Sequence, residues 1–558
     1  MGNKINTSLK KINIFKKTNK PLPIENLFTL PSPLPSWPPG EGFASGIIDI
    51  GGLQIRQVSK FTKVWATQEG GPDNRGATFF EPSDIPDGFV MLGCYSQSNN
   101  KPLSGWVLVA KDTTNGPSGR ALSPPTDYTL VWSSENLKTK QDGVGYIWLP
   151  TAPDGYKPVG LIVTGSNEKP GIDKIRCVRS DFTDLNENEG WIWGPGKDVN
   201  SNGINIYSSR PRNRGIDAVG VITGTFVVRN NGVDLDLPCL KIVNGNKNAM
   251  PNADQIEAIV RAYSPLVYLH PDEQYFPSSV EWYFENGALL YKKGDESNPV
   301  RVDPTGSNLP QGGENDDAYW IDLPADGAAK ERVKKGDLSD ACGYLHVKPM
   351  FGGTFSDVVV WLFYPFNGPA RAKVGLLNVP LGKIGEHVGD WEHVALRISN
   401  FNGELKSMYF SQHSKGIWVD ASQLEFGSGN KPVAFSSLHG HALYPKAGLE
   451  LQGNGTIGIR NDSGKGKFMD VGSRFLVVSA GYLGSVYEEP GWLNYRRKWG
   501  PKISYSTEDE MKKVEKVLPG RLKSEFEKFV RGLPNEVFGE EGPTGPKLKD
   551  SWNGDERS

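Results

Sequence analysis

Cysteine is scarce in this chain: four in 558 residues, at Cys94, Cys177, Cys239 and Cys342, none in CxxC spacing. That pattern excludes a clustered zinc site or a disulfide framework and fits a reducing compartment. No apolar run reaches the about 18 residues of a membrane-spanning helix. The N-terminus lacks the apolar core of a signal peptide, so no secretion by a standard signal is expected. An excess of one charge is missing too. With 62 Lys and Arg against 64 Asp and Glu, the net charge of −2 excludes a nucleic-acid footprint over the whole molecule. No P-loop, HExxH spacing or nucleophile motif is present, which weighs against an enzyme.

Glycine (66) and proline (41) are abundant, and 15 Trp with 24 Phe supply packed cores, so a mainly β protein of more than one domain is expected. Residues 1–44 form a tail and linker. The first 20 residues carry six lysines and no acid, and Ile5, Leu9 and Ile12 would line one face of a basic helix able to lie on an anionic membrane. Gly2 is a near miss for N-myristoylation, because Asn6 stands where Ser or Thr is required. Seven prolines in residues 21–40 predict an extended linker.

Residues 45–245 repeat themselves. Trp65, Trp132 and Trp193 are 67 and 61 residues apart, and Gly93, Gly160 and Gly220 are 67 and 60 apart. Each unit holds short strands and an Asp-containing turn such as Ile85-Pro-Asp-Gly-Phe89 or Ala152-Pro-Asp-Gly-Tyr156. One such unit cannot bury a face alone, and three closing on each other predict a three-repeat β-prism-like domain. These repeats resemble the β-prism domain of multivesicular-body sorting subunits, a resemblance that implies binding of sugars or lipid headgroups.

Residues 252–540 read as an antiparallel β-sandwich with peripheral helices. Asn252 is placed to cap a helix with Ile256, Ile259, Val260 and Tyr263 on one stripe. Residues 300–340 read as a long surface loop, a charged helix begins near Thr507, and residues 541–558 form a polar, extended tail.

The most informative stretch is Gly385-Glu-His-Val-Gly-Asp-Trp-Glu-His393, leading into Val394-Ala-Leu-Arg-Ile398. On a strand, Asp390 and Glu392 share a face with Val394, Leu396 and Ile398, at the mouth of a core. His387 precedes them in a glycine-flanked turn. An imidazole and two carboxylates can hold a divalent cation once deprotonated. His387, His393, His413, His439 and His441, five of the seven histidines, crowd one window. Of His439 and His441, one is expected inward and the other outward.

The succession Tyr263-Ser-Pro-Leu-Val-Tyr-Leu-His-Pro-Asp-Glu273, Gly389-Asp-Trp-Glu-His393, Ser436-Ser-Leu-His-Gly-His441 and Gly539-Glu-Glu-Gly-Pro-Thr-Gly545 resembles the vacuolar protein sorting-associated protein 62 family, in its plant form. A more distant similarity is to the necrosis- and ethylene-inducing-like cytolysins, whose heptapeptide Gly-His-Arg-His-Asp-Trp-Glu aligns with Glu386 to Glu392. That resemblance implies His387, Asp390 and Glu392 as metal ligands, with Asn367 where the cytolysins have an Asp. Asn ligates a hard cation without adding charge, so affinity should fall, and the oxygen-rich set makes Ca or Mg the expected ion. His393, His413, His439, His441 and Trp391 are candidates for headgroup contact or for supporting the ligands. The expected function is a peripheral protein of vacuolar or endosomal trafficking, cytoplasmic, gripping lipid or glycan headgroups. The alternatives are a cytolysin-like membrane-perforating or defence protein and a metal-dependent hydrolase.

Overall fold

The computed structural model describes residues 21–556 except 116–118, 195–202, 231–232, 236, 246, 414, 454–456, 503–504, 517 and 532–541. The basic helix expected in residues 1–20 lies outside the described residues. The protein is mainly β. In the N-terminal domain three small sheets, one per repeat, enclose a core: Phe61–Ala66 with Ala77–Pro82 and Tyr95–Ser98; Asp127–Ser133 with Tyr146–Thr151 and Ile162–Thr164; and Asn186–Trp193 with Ile204–Pro211 and Phe226–Asn230. The repeated tryptophans meet at its centre. The ring centroids of Trp65, Trp132 and Trp193 are 5.7 Å apart in all three pairings, a triangle that marks a pseudo-threefold axis.

The glycine register holds for two repeats and shifts in the third. Gly93 and Gly160 each precede the last strand of their sheet by two residues, and a Cβ on Gly93 would lie 2.8 Å from the Gly160 Cα. In the third repeat that place belongs to Gly224, while Gly220 sits within a strand.

The C-terminal domain is built on a six-stranded sheet. Its members are β1 (Gly343–Met350), β2 (Phe355–Asn367), β3 (His387–Ser399), β4 (Leu405–Gln412), β5 (Lys415–Asp420) and β6 (Phe475–Ser479), in the spatial order β5-β4-β3-β2-β1-β6. Only the β1–β6 pairing is parallel; β2 and β3 run antiparallel over thirteen residues each. Every residue of β2 is buried, because both faces are covered. One face packs under the helix Ala253–Tyr263 and a sheet containing Leu266–Tyr268 and Val433–Ser436; the other packs under Val280–Glu285, Trp492, Trp499 and Trp552. The Asn252 cap forms as a full capping box with Gln255. The stretch 300–340 is no plain loop: it carries strands Val300–Arg301 and Tyr319–Asp322 and the helix Gly327–Lys334. Its polar residues hid a short amphipathic pattern in which Ile321 and Val333 are fully buried. Ser506 caps the helix Thr507–Glu515.

Both supposed tails are bound. In the proline-rich segment the carbonyls of Pro38 and Pro39 accept from Gln255 and Asn252, Trp37 packs edge-on against Phe43, and Phe28 N–H donates to Leu103 O. It is a strap across both domains, not a free spacer. Residues 542–556 wedge between the domains: Ile216 N–H donates to Asn553 O, and the Asp555 carboxylate accepts from Arg214 at 2.9 Å and from Arg397 at 2.6 Å. The expectation of an extended polar tail fails here because its charges pair with buried partners.

The wedge also covers His346 on β1, whose ring lies 3.9 Å from that of Trp552. Burial, reinforced by the charges of Lys348 and Lys547, holds its imidazole well below the usual histidine range. The unfolded chain takes up this proton near pH ~6.5 while the folded chain does not, so stability falls as pH drops. The loss expected is about 1.4 kcal/mol per pH unit below that point. Thermal melts across mildly acidic pH should fall more steeply for the wild type than for His346→Phe; equal slopes would refute the assignment.

Candidate functional site

In β2 and β3 alternate residues face opposite cores. Val358, Val360, Leu362 and Tyr364 share one with Val394, Leu396 and Ile398; Val359, Trp361 and Phe363 share the other with Trp391 and Ala395. Asp390 pairs with Tyr364 and Glu392 with Leu362, so both carboxylates lie on the first face. At the end of the pair the alternation breaks. Phe366 and Val388 belong to the second core although their parity assigns them to the first. The break falls at Gly389, whose φ of +69° is open to glycine and whose Cβ would lie 2.5 Å from the Trp499 carbonyl. Both strands flip together with register intact, Asn367 opposite His387. The flip returns His387 and Asn367 to the carboxylate face. His387 is thus the first residue of a strand, where a turn was expected, and the glycine beside it sets its direction.

The surroundings fix each donor. His387 Nδ1 lies 2.7 Å from Gly389 O; a carbonyl only accepts, so Nδ1 carries the proton and Nε2 the lone pair. Burial lowers the His387 pKa against the opposing pull of Asp390, so the ring is neutral, as a ligand must be. For Asp390 burial acts upward, but the His441 hydrogen bond and the favourable electrostatics of the His387, His441 and Lys549 side chains outweigh it, and the carboxyl is held below its usual range. Ser411 Oγ donates to Glu392 Oε2. Asn367 Nδ2 donates to Gly385 O at 2.7 Å, which orients its amide.

His441 is the hub behind these groups. It is fully buried, stacks on Tyr364 with centroids 3.8 Å apart, and sets Nδ1 2.9 Å from Asp390 Oδ2 and Nε2 3.1 Å from Tyr275 O. His439 points inward as well: its N–H donates to Glu273 Oε2 and its Nδ1 lies 3.2 Å from Pro369 O. The expected opposition of the two histidines fails: residues two apart on a strand would share a face, and here both have positive φ, +67° and +55°, around a turn. His413 is exposed and contacts Asn461 Oδ1 at 3.0 Å.

Trp391 and His393 stand apart from this group. Trp391 packs among Tyr344, Phe363, Trp492 and Trp499 in the second core, and His393 stacks on Trp361 with Nε2 3.1 Å from Glu556. They face away from the carboxylates, and headgroup contact by either is corrected on that ground. Sequence reasoning assigned no role to Glu273, Tyr275, Tyr364 or Ser411. Glu273 caps its own turn, accepting from the N–H groups of Gln274 and Tyr275 as well as His439. The only signal for it was its place in the Leu269-His-Pro-Asp-Glu273 motif.

The cluster gathers a neutral imidazole, two carboxylates and an amide, each oriented by a second group. Among the described residues no three His, Cys, Asp or Glu side chains stand close enough together to hold a metal ion.

Fold and site together describe a two-domain, mainly β protein with a buried carboxylate–histidine cluster at a strand end. The family model for vacuolar protein sorting-associated protein 62 matches residues 24–556, and the chain belongs to that family. The putative vacuolar protein sorting-associated protein TDA6 of Saccharomyces cerevisiae is 25% identical over 242 residues, 37% of this chain and 50% of that protein. The chain thus matches about half the length of that relative. Among solved structures, GNIP1Aa from Chromobacterium piscinae aligns with a TM-score of 0.29 and 15% identity over 38% of this chain and 40% of its own. NLPPya in complex with glucosamine aligns with a TM-score of 0.20 and 16% identity over 35% of this chain and 70% of its own. Among the described residues no helix is long and apolar enough to cross a membrane.

Proposed function

We propose that this chain is a peripheral membrane-associated protein of vacuolar or endosomal trafficking, one that grips lipid or glycan headgroups through a divalent cation. His387, Asp390, Glu392 and Asn367 are the ligands in this reading, and His441 and Ser411 orient the carboxylates. The observation that carries it is the break at Gly389, which places an oriented imidazole and an oriented amide on the face of two buried carboxylates. Two buried acids on one face repel each other and lose hydration, and a cation offsets both costs. Calcium or magnesium fits the oxygen-rich set, and such an ion bridges protein carboxylates to phosphate or sugar oxygens.

The test is the metal content of the purified protein, dialysed without chelator, against Glu392→Ala. Near-stoichiometric calcium or magnesium in the wild type, lost in the variant, is expected. Equal metal content in both proteins, or none in either, would sink the cation site.

A further inference from the structure

A second site lies on the opposite face of the same sheet. There β1, the segment 479–496, the C-terminal wedge and two loops of the prism domain surround a cleft of about 630 Å³. Four cations line it, Lys247, Lys348, Arg496 and Lys547, against two acids, Asp217 and Glu489. Glu489 is neutralised by the ammonium of Lys547. Lys348 is buried and spends its hydrogen bonds on the carbonyls of Ser551, at 2.5 Å, and Gly554, at 2.9 Å, so its charge adds to the field in the cleft. Lys247 has one long contact, 3.4 Å to Ile216 O. Among the described residues Arg496 makes no hydrogen bond or ion pair, although it is exposed at the rim.

One further atom is left over. His346 lines the cleft, is 5% exposed, and its buried Nδ1 has no hydrogen-bond partner. An unpartnered buried nitrogen costs stability unless something completes it. A basic cleft with one guanidinium fork, flexible ammonium groups and a buried imidazole nitrogen is complementary to an oxyanion with several acceptor oxygens. The volume exceeds what a bare ion fills and suits a small phosphorylated molecule or headgroup.

We infer that the cleft between β1, the C-terminal wedge and the prism loops binds a phosphate monoester, held by Lys247 and Arg496 and completed by His346. The site is independent of the cation cluster, which lies across the sheet on the other core. Because wedge and prism both contribute walls, bound phosphate would tie the two domains more firmly together.

The full-length chain is titrated calorimetrically with inorganic pyrophosphate, in EDTA so that no cation at Asp390 can bridge the anion. In parallel, flotation is measured with phosphatidylcholine vesicles with and without phosphatidic acid, also in EDTA. The variants are Lys247→Glu with Arg496→Glu, both exposed, and His346→Phe, which keeps a ring against Trp552. Binding in either arm is expected to weaken about a hundredfold in the double variant and about tenfold in His346→Phe, the scale set by losing charge-assisted hydrogen bonds. Pyrophosphate binding with no vesicle preference supports the cleft and makes the source a free phosphate compound. Flotation that requires phosphatidic acid supports the cleft with a lipid as source. No binding in either arm, or binding that folded variants retain in full, overturns the proposal. Thermal melts of the variants establish that they are folded.

Discussion

Replacing Arg397 by leucine is expected to lower the unfolding free energy by about 3–5 kcal/mol, the usual cost of breaking a buried ion pair from one side. Arg397 lies on β3 and donates through Nε and Nη2 to both oxygens of Asp357, at 2.9 and 2.8 Å, and through Nη2 to Asp555. Asp357 has no exposed surface, so without the guanidinium its carboxylate is a buried charge with its main partner gone. The planar group also stacks 3.9 Å over the ring of Trp418, so packing is lost as well. Chemical denaturation of wild type, Arg397→Leu, Asp357→Leu and the double variant measures the coupling. The double variant should be less destabilised than the sum of the singles. Strict additivity would show that the pair contributes nothing jointly.

Trp193→Ala should cost about 3–5 kcal/mol within the prism domain, as truncation of a fully buried tryptophan does. The side chain is one corner of the tryptophan triangle, and its Nε1–H donates to Glu69 O at 2.9 Å, linking the third repeat to the first. Losing it opens a cavity on the pseudo-threefold axis and leaves that carbonyl with Thr67 Oγ1 as its remaining donor. Near-ultraviolet circular dichroism during urea unfolding should show the tryptophan signal lost earlier than in the wild type. A midpoint shift under about 1 kcal/mol would mean that the axis is not where the domain's stability resides.

The axis was legible in the sequence because aromatic residues recur in phase, and phase survives even where the remaining residues diverge. The Asn252 helix was legible too, since a cap and an apolar stripe are local signals. The direction of His387 was not. Strict alternation along a strand places it opposite to what is found, and one glycine at positive φ changes the answer. His439 and His441 misled for another reason: they stand around a turn with positive φ, where spacing along a strand does not set direction. The strap and the wedge were misread through composition, because proline-rich and charged stretches are usually solvated. What binds the strap is its backbone carbonyls, and what binds the wedge is Asp555, Glu556 and Trp552 meeting buried partners from distant segments. Neither kind of contact has a local sequence signal.

The wedge also dictates an order of folding. Asp555 meets Arg397 across 158 positions and Arg214 across 341, so the joint needs both domains and the end segment at once. Contacts of such separation form late, after their loops have closed. On the ribosome the prism and the six-stranded sheet emerge first, while Arg214 and Arg397 wait for the Asp555 carboxylate, not yet synthesised. The interface between domains is therefore exposed during synthesis until residues 542–556 emerge and seal it.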